Sequence, residues 1–152
     1  MSSERLAVGI DPGKSGALVA LTVDGWPIFN QKFSQVDTAQ AFADLYEVCR
    51  GNFFGFALLE KVGAWPGQGV SSTFAFGEAY GVAKGCLRML GIPFEMITPA
   101  KWQKEFITPT KDKKERKTLL AIKAMELFPS QKMTKPEADA WLLAEYCRRH
   151  CM

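Results

Sequence analysis

Histidine is nearly absent from this chain of 152 residues: its only copy, His150, stands two residues before the last one. Nucleophilic triads use a histidine as their general base, and histidine is the commonest general base in other hydrolytic sites as well. A single histidine at this position argues against both mechanisms. Any hydrolytic chemistry of this chain must therefore rest on other side chains.

Cysteine is scarce too, and its four copies lack the paired spacing that is typical of zinc sites. Cys147 and Cys151 could share one helix face, but with only His150 beside them no metal site is predicted there. Cys49 and Cys86 stand alone. We expect four free thiols, as in a protein of a reducing compartment.

Long hydrophobic runs are also lacking. No apolar segment approaches the length of a membrane span, and residues 1–5 do not resemble the start of a signal peptide. Hydrophobic residues make up 47% of the chain and charged residues 23%, as in ordinary globular proteins. These features predict a single intracellular domain over residues 1–152, with no membrane partner and no secretion.

A nucleotide-binding loop is missing as well, although Gly13-Lys14-Ser15 resembles the end of one. A Walker loop has four residues between its first glycine and its Gly-Lys-Ser, whereas only three separate Gly9 from Gly13. One of these three is Asp11, whose carboxylate would repel a phosphate. We predict no nucleotide cofactor.

The segment Val8–Leu21 predicts a strand, a tight turn and a second strand. Asp11 ends the first strand, and burying an acid among Val, Ile and Leu is costly unless a cation compensates its charge. A turn aspartate that caps its own backbone is the alternative. Strands are predicted over Leu6–Asp11, Ala17–Thr22, Trp26–Phe33, Phe53–Glu60 and Phe94–Ile97, and the fourth again ends in a carboxylate.

Helical periodicity marks four further segments. The predicted helices begin at Thr38 as an N-cap, near Ser71, within the basic run 111–117 and near Pro136. The resulting order is βββαβα, then a short strand and two helices. It predicts an α/β fold, a mixed five-stranded sheet with helices on its faces.

Three glycines, Gly77, Gly81 and Gly85, lie four apart on one face of the long helix predicted over Ser71–Leu90. Each glycine destabilises a helix interior by about 1 kcal/mol relative to alanine, so we expect close packing on this face to offset the loss of stability. The packing partner is the protein's own sheet or, in the sharper hypothesis, a helix of a second copy.

Basic residues are concentrated in the last third of the chain. Residues 98–152 contain 12 Lys and Arg against 7 Asp and Glu, although the net charge of the whole chain is only +3. The densest run is 111–117, with Lys101 and Lys104 ahead of it. Such a run is usually a solvated helix face, and it contacts phosphates where another feature calls for a polyanion.

Three segments together resemble the motif blocks of the RuvC-type Holliday junction resolvases: Gly9-Ile10-Asp11-Pro12-Gly13, Leu59-Glu60, and Ala138–Ala144 with Asp139 inside it. The match covers nearly the whole chain in order and spacing, and the short form is more similar to the phage and organellar branch. The resemblance implies a ribonuclease H-like fold, in which the first and fourth strands lie side by side. It also implies a junction-resolving DNA endonuclease that acts as a homodimer on four-way or branched DNA.

The resemblance further implies a metal centre. Crowded carboxylates raise each other's pKa, and divalent cations such as Mg²⁺, with Mn²⁺ as a substitute, relieve the repulsion. Asp11 would bridge two ions, with Glu60 and Asp139 completing the sites. The family carries a further acidic residue one turn before the last ligand, where this chain has Lys135 and Pro136. Glu137 is the candidate fourth ligand, or else a surface glutamate at a helix N-terminus.

Family members also place lysines at the scissile phosphate, and Lys104 and Lys114 stand closest to those positions. Trp65, in the loop after Glu60, is a candidate for stacking on a junction base, or else covers the domain surface. A nuclease that acts on RNA–DNA hybrid and a non-catalytic nucleic-acid-binding domain remain as alternatives. The full set of predicted DNA contacts is Trp65, Lys101, Lys104, Lys111, Lys113, Lys114, Arg116 and Lys117.

Overall fold

A five-stranded mixed sheet organises the computed structural model, which describes residues 3–64 and 66–152. The strand order is β3-β2-β1-β4-β5, so that β1 is central. β1 pairs antiparallel with β2 and parallel with β4, as the ribonuclease H-like resemblance implied. The strands are β1 Arg5–Asp11, β2 Ala17–Thr22, β3 Pro27–Lys32, β4 Phe53–Glu60 and β5 Phe94–Ile97.

Helices cover both faces of this sheet, which confirms the predicted fold class. The helices α1 and α2 contribute to the core on one face, and α3, α4 and α5 to the core on the other. The helix bounds are α1 Thr38–Val48, α2 Val70–Met89, α3 Pro99–Gln103, α4 Lys113–Leu127 and α5 Ala138–His150, with a 3-10 turn Lys135–Glu137 just before α5.

Three details of the helices differ from the predictions. α3 was not predicted, because five residues are too few to show a helical period. The N-cap of α1 is Asp37 rather than Thr38, since the Asp37 carboxylate accepts a hydrogen bond from the backbone N–H of Gln40 at 2.8 Å. Pro136 is the second residue of the 3-10 turn and not the start of the α-helix itself.

α5 packs directly on the central strand at Gly9. A Cβ atom at this position would lie 2.3 Å from the backbone nitrogen of Ala144 and 2.5 Å from the carbonyl oxygen of Ala140. Only a glycine permits that approach, and the two alanines of α5 keep the helix close to β1. The first turn of α5 is thereby brought to the end of β1.

The turn between β1 and β2 reverses the chain immediately behind Asp11. The backbone N–H of Gly16 donates to the carbonyl oxygen of Gly13 at 3.1 Å, and Gly13 has a φ of +107°. A Cβ atom on Gly16 would lie 1.8 Å from the carbonyl oxygen of Asp11. The predicted tight turn between the first two strands is confirmed, and it holds the end of β1 in place.

The glycine face of α2 does not pack on the sheet, so the first hypothesis for it is wrong. A Cβ atom on Gly77, Gly81 or Gly85 would meet nothing within 4 Å. The buried residues of α2 are instead Ala83 and Leu87, on another side of the helix. None of the described helices has the length and apolar character needed to cross a membrane.

Candidate metal centre

Three carboxylates meet at one edge of the sheet. Ile10 of β1 is in register with Leu59 of β4, and the next residue of each strand is an acid, Asp11 and Glu60. Asp139 joins them from the first turn of α5. One ligand oxygen from each of the three carboxylates lies within 4.8 Å of the other two.

Burial and mutual repulsion make these carboxylates hard to ionise together. Burial, followed by the charges of Glu60 and Asp139, raises the pKa of Asp11 well above its ordinary value. Burial, followed by the charge of Asp139, raises the pKa of Glu60 to about 7, and burial raises that of Asp139 to about 6.

A buried tryptophan fixes one of the three acids. The indole N–H of Trp102 donates to Oε2 of Glu60 at 2.8 Å, and both side chains are buried. Trp102 lies on α3, so sequence reasoning that missed this helix also missed the contact. The available signal was Pro99, which follows the strand Phe94–Ile97 after one intervening residue, because proline is favoured at the first position of a helix.

Arg116 and Lys117 of α4 are the cations whose charges act on the cluster. Both lower the pKa of Asp139, and Lys117 also lowers that of Asp11. With Gln103 they line a cavity of about 480 Å³ that opens beside Asp139. These two predicted DNA contacts therefore lie next to the carboxylates.

Lys104 and Lys114, predicted at the scissile phosphate, are both exposed. Lys104 is the C-cap of α3, and Lys114 lies in the first turn of α4. Neither is among the charges that shift the pKa values of the three carboxyl groups. The other predicted contacts outside the cavity, Lys101, Lys111 and Lys113, are exposed as well.

Glu137 does not join the three carboxylates. Its Oε2 accepts a hydrogen bond from the hydroxyl of Thr134 at 3.1 Å and lies 3.8 Å from Nζ of Lys32. The side chain is 4% exposed, so the alternative of a surface glutamate is wrong. The 3-10 turn points this carboxylate toward β3 instead of toward the cluster.

Trp65, the predicted base-stacking residue, lies outside the described residues. The residues on either side of it, Ala64 and Pro66, are exposed. A contact between this loop and DNA stays a prediction.

The donor set suits a hard divalent cation. Mg²⁺ and Mn²⁺ prefer oxygen ligands, and Asp11, Glu60 and Asp139 offer carboxylate oxygens without sulfur or imidazole. A dication at this place would also remove the repulsion that raises the three pKa values. The three side chains thus fit the metal centre that the resemblance implied.

No protein-family model and no curated protein sequence matches this chain, whereas solved structures do. T. thermophilus RuvC in complex with a Holliday junction substrate is similar with a TM-score of 0.62 and 15% sequence identity, over 97% of this chain and 96% of that chain. A second Thermus thermophilus RuvC structure has a TM-score of 0.58 and 16% identity, over 95% of each chain. Along nearly its whole length, the chain has the fold of RuvC.

Proposed function

We propose that the protein is a divalent-metal-dependent DNA endonuclease that resolves four-way junctions by paired, symmetric cleavage of phosphodiester bonds. The observation that carries this proposal is the cluster of three carboxylates at the end of two parallel strands. The RuvC structure of similar fold holds a Holliday junction substrate, and this favours branched DNA over other polyanions.

Asp11, Glu60 and Asp139 are the proposed ligands of Mg²⁺, for which Mn²⁺ substitutes. When bound, such ions activate the attacking water and stabilise the leaving oxygen of a phosphodiester. Asp11 is the proposed shared ligand, because the charges of both Glu60 and Asp139 act on its carboxylate. Glu60 is buried and Asp11 and Asp139 are half-buried, so bulk water is excluded from part of the site, which strengthens the interaction of these acids with a cation.

Arg116 and Lys117 are the proposed anchors of the scissile phosphate. They line the cavity beside Asp139, where a phosphodiester would reach the carboxylates and two cations at once. Charge-assisted hydrogen bonds from these side chains would offset the repulsion between the phosphate and the acids. The exposed lysines farther along α3 and α4 would contact the backbone of a duplex arm and add salt-dependent affinity.

The proposed active form is a homodimer. A four-way junction has two-fold symmetry, and two nicks placed symmetrically require two active sites related in the same way. The exposed face of α2 offers the surface, because Val70, Phe74 and Met89 are 87%, 74% and 87% exposed beside the glycines. Exposed apolar area of this kind is typical of protein interfaces.

Labelled substrates test the proposal. A four-way junction, a linear duplex and an RNA–DNA hybrid of related sequence are incubated with the protein in Mg²⁺, in Mn²⁺ or in chelator. We expect paired nicks in the junction alone, in either metal and not in chelator. Cleavage of the hybrid alone would favour the ribonuclease H-like alternative, and junction binding without any cleavage would favour a non-catalytic domain.

A further inference from the structure

We propose that Trp102 is a positioning residue of the metal centre, whose indole N–H holds the carboxylate of Glu60 in the orientation that receives a cation. The inference rests on the proposed function only in taking Glu60 as a metal ligand. It starts from one contact, the 2.8 Å hydrogen bond from Nε1 of Trp102 to Oε2 of Glu60. Trp102 is fully buried, so no water competes for the carboxylate on that side.

A glutamate side chain needs such a partner at this place. It has more rotatable bonds than an aspartate, and Asp11 and Asp139 repel it when all three are ionised. A fixed donor to one of its oxygens holds the plane of the Glu60 carboxylate and leaves lone pairs free for a cation. Hydrogen bonds to ionised acceptors are about twice as strong as neutral ones, so the contact holds best when Glu60 is charged.

Trp102 is itself held firmly. Its ring meets the edge of Phe106 with 6.3 Å between the ring centroids, within the core formed by α3, α4 and α5. The strand that leads into α3 is tied to the same glutamate, since Glu60 pairs with Ile97 and the backbone N–H of Lys61 donates to the Ile97 carbonyl at 2.7 Å. The donor and the acceptor therefore belong to one rigid unit.

A second buried tryptophan provides a natural control. Trp141 of α5 is also buried, in the same core as Trp102. Its Nε1 has no hydrogen-bond partner among the described residues. Replacing either tryptophan with phenylalanine removes a similar volume from that core, but only Trp102→Phe takes a donor from a carboxylate.

Binding of Mn²⁺ without DNA, measured by electron paramagnetic resonance or calorimetry, separates the two roles. Losing a residue that orients a metal ligand typically weakens metal affinity by 10- to 100-fold, so we expect a loss of about tenfold for Trp102→Phe. For Trp141→Phe we expect an affinity close to that of the wild type. In junction cleavage, Trp102→Phe should need more Mn²⁺ for half-maximal rate, with an unchanged KM for DNA.

A site-specific benzothienylalanine at position 102 keeps the test decisive if Trp102→Phe does not fold, because this side chain keeps the bicyclic shape and lacks the N–H. The inference would be overturned by a folded Trp102 variant that binds Mn²⁺ as tightly as the wild type, or by an equal loss of affinity in Trp141→Phe. A wild-type protein that binds no Mn²⁺ would overturn it as well. A wild type that binds Mn²⁺ and cuts no DNA refutes only the proposed function. In that case the comparison of the two tryptophan variants still decides the role of Trp102.

Discussion

Replacing one of the three clustered carboxylates with its amide removes a charge and keeps the shape of the side chain. For Asp11→Asn, Glu60→Gln and Asp139→Asn we expect junction cleavage to fall roughly a thousandfold or more, because a bound metal ion stabilises the transition state by several kcal/mol. Junction binding should persist, since fewer negative charges face the phosphates. Asp44→Asn, at a half-buried position of α1 outside the cluster, is the control and should cleave normally. Normal cleavage by Asp11→Asn would refute the metal centre.

The raised pKa values make the metal-free protein sensitive to pH. The folded state keeps protons on Glu60 up to about pH 7, whereas the unfolded chain loses them near the ordinary value of 4.5. Because the folded state binds more protons than the unfolded chain between these two pH values, the contribution of Glu60 to stability is fully present below the ordinary value of 4.5 and is lost as the pH rises through about 7. We expect Glu60→Gln to raise the melting temperature at pH 8 more than at pH 5, in chelator.

Added Mg²⁺ should raise the melting temperature of the wild type at pH 8 and have little effect at pH 5, where protons occupy the carboxylates. Asp44→Asn serves again as the control, because this acid lies outside the cluster and its loss should leave the difference in melting temperature between the two pH values unchanged. A Glu60→Gln variant whose melting temperature follows that of the wild type at both pH values would show that repulsion in the cluster does not limit stability.

Lys117 should matter more for cleavage than Lys104 or Lys114. All three lysines are exposed, but only the charge of Lys117 lowers the pKa values of Asp11 and Asp139. A charge-assisted hydrogen bond is worth about 1.5–3 kcal/mol, so we expect Lys117→Ala to slow single-turnover cleavage by roughly 10- to 100-fold. Lys104→Ala and Lys114→Ala should mainly weaken junction binding at higher salt. Equal losses of the cleavage rate in all three variants would contradict this order.

At the level of elements, the close crossing of α5 over β1 is what brings Asp139 to Asp11. Gly9→Ala should therefore destabilise the fold by about 1–3 kcal/mol or more, because its Cβ would meet backbone atoms of α5 that cannot rotate away. Unfolding in urea measures the loss. Gly63→Ala, with no atom within 4 Å of the new Cβ, is the matched control and should change stability little. Equal stability of the two variants would show that α5 can shift along the strand.

Strands and their ends could be predicted from the sequence because polar turn residues interrupt apolar runs. The predicted bounds Ala17–Thr22, Phe53–Glu60 and Phe94–Ile97 are confirmed as they stand. When two parallel strands are adjacent, acids at the ends of both strands lie side by side. Once β1 and β4 are taken as such neighbours, the contact between Asp11 and Glu60 therefore follows from the sequence.

Contacts that depend on how a helix is rotated about its axis could not be predicted in the same way. The run 111–117 contains five Lys and Arg, and its sequence does not tell which of them face Asp139. The contact of Trp102 with Glu60 could not be predicted for a related reason, because α3 is too short to show a helical period in the sequence. The packing partner of the glycine face of α2 could not be predicted either, since close packing on a sheet and close packing on a partner helix both need small residues.

For the whole molecule, the exposed face of α2 determines how two active sites could serve one junction. Gly77, Gly81 and Gly85 are exposed and open, with Phe74 beside them at 74% exposure. Two such helices can approach closely because no side chain stands between their backbones. An isologous contact of this face would relate the two carboxylate clusters by the two-fold axis that the substrate has.

Gly81→Arg tests this dimer. Arginine is the better helix former by nearly 1 kcal/mol, so the variant should fold at least as stably as the wild type while a charged side chain blocks the contact. Light scattering at micromolar concentration should show a dimeric wild type and a monomeric Gly81→Arg. Tyr80 is a poorer probe, because it is half-buried and its hydroxyl contacts Sδ of Met96 at 2.6 Å.

The readout on DNA follows from the same symmetry. A wild-type dimer should cut two opposing strands of one four-way junction within a single binding event, whereas Gly81→Arg should leave singly nicked junctions. Ile122→Arg, at a 49% exposed position of α4, is the control and should remain dimeric and resolve junctions normally. A wild-type protein that stays monomeric even on DNA and still makes paired nicks would contradict the dimer, because each of its two cuts would then come from an independent encounter.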